Sequence, residues 1–120
     1  MSKALLTMVA VLAFGASGSG ADEPPLLNPG GPAMNAQAPA AFKVKLETTR
    51  GDVVIEIQRA WAPRGADRFF NLVRAGYYND VRITRVVVPK WAQFGINGDP
   101  KIAKLWRDQP IPDEPRVLSN

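Results

Sequence analysis

Between residues 42 and 57 apolar and polar side chains alternate twice, with a glycine-bearing turn between the two runs. Phe42, Val44 and Leu46 alternate with Lys43, Lys45 and Glu47; Val53, Ile55 and Ile57 alternate with Val54, Glu56 and Gln58. Successive side chains of a strand point to opposite faces, so a period of two sets one row against a core and the other toward water. Thr49-Arg50-Gly51-Asp52 forms the turn, Gly51 being free to take a positive φ. Two such runs so close together specify a β-hairpin. The folded part therefore begins near residue 41 and is mainly β.

One helix follows. Pro63 suits a first helical position, where its missing N–H costs nothing. Ala66, Phe69, Phe70, Val73 and Tyr77 recur at helical spacing, and Gly76 is placed to cap the end. The expected helix covers residues 63 to 75. Asp67 sits early, where the helix dipole favours an anion. The Phe69-Phe70 pair reads as core.

Residues 82 to 88, RITRVVV, read as another strand. That places Arg85 between the aliphatic neighbours Ile83 and Val87 on one face. A guanidinium in such a row is costly unless something accepts its hydrogen bonds. The pattern alone allows a solvated edge arginine or a salt bridge to a carboxylate such as Asp67. Trp91 to Phe94 read as a short extended piece and residues 95 to 100 as a glycine-rich turn without a phosphate-loop pattern. In residues 101 to 120 the signals are Trp106, three prolines and a strand start at Arg116-Val117-Leu118.

The first forty residues have a different character. Lys3 precedes an apolar run from Ala4 to Phe14, followed by small residues and Ser19-Gly20-Ala21. A positive start, a core too short to span a bilayer and a small-residue cleavage site make up a secretory signal peptide, expected over residues 1–21. Its removal leaves no stable membrane insertion and a periplasmic or secreted location. Residues 22–40 contain five prolines and two glycines without periodicity and read as an extended, mobile linker.

Composition narrows the chemistry. The 120 residues contain no cysteine and no histidine. Disulfides, thiol nucleophiles, Ser-His catalysis and imidazole metal ligands are excluded. The net charge of +4 favours weak attraction to anionic surfaces and is no nucleic-acid signature. Reactions that need only charge placement and a shaped pocket remain open.

The ordered runs KLETTRGDVVIEI, AWAPRGADRFFNLVRAGYYNDVRITRVV and QFGINGDP resemble the N-terminal part of cyclophilin-type peptidyl-prolyl isomerases, with the bacterial secreted group closest in flavour. The resemblance covers residues 43 to 120. It implies part of an antiparallel β-barrel that is eight-stranded and closed in the whole family domain. It also implies cis/trans isomerisation before proline in polypeptide substrates, with no cofactor. Arg85 then matches the catalytic arginine, and Gln93, eight positions on, matches the glutamine that binds the substrate backbone. The barrier of roughly 18–20 kcal/mol reflects amide resonance. A guanidinium that donates to the proline nitrogen as the bond twists stabilises the transition state without a nucleophile or metal. Arginine stays charged at any working pH.

The resemblance also has departures. Thr84 stands where the family has an aromatic residue. In ungapped register Lys90 occupies a pocket phenylalanine position and Trp91 a methionine position; a shift of one residue puts Trp91 on the pocket floor as a substrate contact. The second half of a cyclophilin domain lies beyond residue 120, so a truncated product with weak or no activity is expected. Two other readings stand beside the enzyme: a non-catalytic module that holds extended peptides as a chaperone does, and a basic exported domain that binds anionic surfaces.

Overall fold

The period-two runs form the hairpin that the sequence specifies. The computed structural model describes residues 24 to 117 together with the backbone of residues 3 to 7. Strands β2 (Ala41–Thr48) and β3 (Gly51–Gln58) pair antiparallel in full register, from Ala41 opposite Gln58 to Thr48 opposite Gly51. Gly51 has φ 120°, a conformation open to glycine and strained for other residues. The Thr48 hydroxyl braces the turn by donating to the Gly51 carbonyl oxygen at 2.6 Å.

A short N-terminal strand, β1 (Lys3–Thr7), pairs antiparallel with β2 on one side and with β4 (Val81–Arg82) on the other. The sheet order is β3-β2-β1-β4. Apart from the β1 backbone, the expected signal peptide and its cleavage site lie outside the described residues. A separate two-stranded sheet pairs β5 (Arg85–Val87) with β6 (Trp91–Gln93). Both sheets are open, giving a partial, mainly β fold of the expected class.

Helix α1 (Pro63–Arg74) packs on the inner row of the hairpin. Phe42, Val44, Leu46, Ala66, Phe70 and Val73 are buried together with Ala38, and the rings of Phe42 and Phe70 meet edge to face at 5.2 Å. The end of α1 carries the cap expected of Gly76, which has φ 82°. The Gly76 N–H donates to Val73 and the Tyr77 N–H to Leu72, so two end carbonyls are satisfied.

Four expectations are corrected. The run 82–88 is two strands, because the chain changes partners: Arg82 pairs with β1, whereas the Thr84 N–H already donates to the Gln93 carbonyl at 2.8 Å. A second helix, α2 (Pro100–Arg107), stands where only a turn and loops were expected, N-capped by Asp99, whose carboxylate accepts from the Lys101 N–H. Arg116 and Val117 form no strand, and Leu118 lies outside the described residues. The proline-rich segment is docked from residue 24 onward. Two short 3₁₀ turns, Pro25–Leu27 and Pro32–Met34, bring Met34 into a cluster with Leu72, Tyr77 and Trp106. The Trp106 indole N–H donates to the Leu26 carbonyl, and the Asn71 amide donates to that of Ala36.

Candidate functional site

Residues 85 to 93 fold back on themselves through a turn at Val88, Pro89 and Lys90, and the Lys90 N–H closes it on the Val87 carbonyl. The register sets Arg85 opposite Gln93 and Val87 opposite Trp91. Paired residues share a face and alternate residues return to it, so Arg85, Gln93, Val87 and Trp91 line one face of this small sheet. The three residues expected to act together are therefore brought together. The Arg85 guanidinium carbon lies 4.8 Å from the centre of the Trp91 ring, within cation–π range.

This face is open. Arg85, Gln93 and Trp91 are all exposed, with Trp91 at 44%. Val86 and Val88 are exposed beside them. Lys90 belongs to the turn and Trp91 to β6, so Trp91 shares the arginine's face.

Asp67 does not serve Arg85. Its carboxylate accepts from the Arg59 guanidinium at 2.8 and 2.9 Å and from the Ala38 N–H at 2.9 Å. The bonds from Arg59, more than the backbone bond, hold its carboxyl below the usual carboxylate range against the opposing effect of burial. The ion pair ties the end of β3 and the docked segment to α1, and leaves the Arg85 guanidinium for a ligand or for Trp91.

Thr84 was expected only as a departure from the family's aromatic residue, with no structural role assigned to it. Its N–H and its hydroxyl both donate to the Gln93 carbonyl oxygen, at 2.8 and 3.2 Å. It thereby anchors the strand pair at the residue opposite Arg85. The signal in the sequence is weak: a threonine directly before the arginine, where a hydroxyl can reach a neighbouring strand.

Residues 43–120 match the model of the family described as cyclophilin type peptidyl-prolyl cis-trans isomerase/CLD. The chain belongs to the cyclophilin-type isomerase family. One relative, the peptidyl-prolyl cis-trans isomerase-like 1 protein of Gibberella zeae, is 37% identical over 57 residues, which covers 48% of this chain and 33% of that protein. The match thus spans about a third of the relative's length. No solved structure matches the chain. In this cyclophilin-type chain the face of the β5–β6 pair, a sheet separate from the four-stranded one, carries the candidate residues.

Proposed function

We propose that this chain acts on proline-containing polypeptides as a peptidyl-prolyl cis-trans isomerase that assists folding, with Arg85 as the catalytic group. The observation that carries the reading is the pairing of Arg85 with Gln93 across one hairpin, on one face with Trp91. An extended peptide laid along that face can accept backbone hydrogen bonds from the Gln93 amide. Its proline ring packs against Trp91, and the guanidinium donates to the proline nitrogen as the amide twists. An open, hydrated face screens this interaction, so turnover is expected to be slow compared with that of an enclosed site.

The test is proline isomerisation in a short peptide. Arg85→Ala is expected to lower kcat/KM by about 10²–10³-fold, the range for loss of one preorganised donor. An unchanged rate overturns the role of Arg85.

The exposure of Arg85 and Trp91 favours a second reading, a module that binds extended peptides without turning them over. It predicts peptide binding that weakens in Trp91→Ala, with no isomerisation in the unmodified chain.

The location proposed is the periplasm or exterior of a bacterial cell, on the plan of residues 1–21. Mass determination of the product in the exporting host tests it. A mature N-terminus at Asp22 is expected, and an uncleaved cytoplasmic product overturns the proposal.

A further inference from the structure

A second concave site lies away from the hairpin face. The cavity is about 530 Å³, within the usual size range of small-molecule sites. Its apolar wall is formed by Tyr77, Tyr78 and Trp106, and its cations are Arg68, Lys104 and Arg107. No Asp or Glu lines it. Among the described residues none of the three cations has a carboxylate within ion-pair distance.

The aromatic wall is held in place by bonds independent of any ligand. The Tyr77 hydroxyl donates to the Gly95 carbonyl at 2.9 Å, the Asn97 amide donates to the Tyr77 carbonyl at 2.7 Å, and the Trp106 indole donates to Leu26. Arg68 lies over the Trp106 ring at 5.1 Å and donates to the Gln109 carbonyl, so one cation is positioned in advance. Tyr78 lines the cavity and is mostly removed from water. Burial pushes its phenol up to about 12, so it keeps its proton and can donate. Lys104 and Arg107 in the last turn of α2 also suit the helix dipole. That role alone does not require an aromatic hollow beside them.

We propose that this cavity binds a compact organic carboxylate with an aromatic or branched apolar body. The body lies against Tyr77, Tyr78 and Trp106, and the carboxylate faces Arg68, Lys104 and Arg107 at the rim. This site is independent of Arg85 and of the isomerase reading.

The probe pair is naphthalene-2-carboxylate and its neutral analogue naphthalene-2-carboxamide, each titrated into the full chain. Binding is followed by the NMR signals of the tryptophan indole N–H groups. The carboxylate is expected to bind about tenfold more tightly than the amide and to shift the Trp106 signal while leaving those of Trp61 and Trp91 in place. The double variant Lys104→Gln/Arg107→Gln changes exposed side chains only and is expected to cut the preference to about threefold or less, Arg68 remaining at the rim. Arg85→Ala is expected to leave it intact. Equal affinity for acid and amide, a preference undiminished in the double variant, or a shift centred on Trp91 and lost in Arg85→Ala would each overturn the proposal.

Discussion

The guanidinium of Arg85 rests 4.8 Å from the centre of the Trp91 ring, on the face it shares with Gln93. The contact is an exposed one, of the kind that contributes about 0.5–1 kcal/mol. It favours rotamers that keep the arginine beside the Trp91 ring over free sampling in water. Trp91→Leu keeps apolar surface and removes the ring. It is expected to lower kcat/KM for proline isomerisation by about two- to fivefold. In an Arg85→Ala background the same change is expected to have no further effect, and a double-mutant cycle measures this.

The ion pair between Arg59 and Asp67 makes stability depend on pH. The folded carboxyl titrates below its ordinary value of about 3.9, so its stabilising effect is complete above that pH and fades as pH falls through the lower, folded value. Asp67→Asn is expected to lower Tm by about 4–8 °C at neutral pH. Thermal melts from pH 2 to 7 check this, because the gap between the two proteins should close at the acid end.

Gly65 lies within α1 without a positive φ, and a Cβ there would meet only ordinary contacts: Glu114 at 3.6 Å and Ala62 at 3.8 Å. The Arg64 and Gly65 N–H groups keep their bonds to the Glu114 carboxylate in either case. Gly65→Ala is therefore expected to stabilise the chain by about 0.5–1 kcal/mol. Urea unfolding measures the gain, and a loss would show that the helix start is more crowded than the contacts indicate.

Trp106→Phe removes the bond to the Leu26 carbonyl while keeping most of the apolar contact with Met34 and Leu72. Amide exchange across residues 25 to 35 is expected to quicken, with little change in the β2–β3 amides. A uniform change across both regions would instead mean that the segment and the hairpin unfold as one unit.

The hairpin and α1 could be read from the sequence because each repeats a single environment: buried and exposed by turns along Phe42 to Leu46, and one apolar stripe from Ala66 to Val73. The strand at 82–88 was read as continuous because its β-branched residues carry no punctuation. The break at Ile83-Thr84 comes from a change of partner, which is a tertiary fact. For α2 a local signal did exist: Asp99 before Pro100 is an N-cap followed by proline at the first position, and Ile102 and Trp106 lie one turn apart. Docking of the proline-rich segment left no such trace, because backbone carbonyls of Leu26 and Ala36 accept from distant side chains and any residue offers a carbonyl. The likeness of Arg85 and Gln93 to family positions was legible. Their shared face depended on the turn at 88–90, which a spacing of eight does not determine.

The position of β1 between β2 and β4 has a further consequence. The residues that begin the chain cannot be built into a sheet and also be threaded, unfolded, through a secretion channel. For any one molecule the two fates exclude each other, so under the proposed export the time before β2 captures that pentapeptide would set the window for secretion. Were the proposed cleavage to remove residues 1–21, the mature chain would have to close the gap between β2 and β4 with some other strand or live with the two apart.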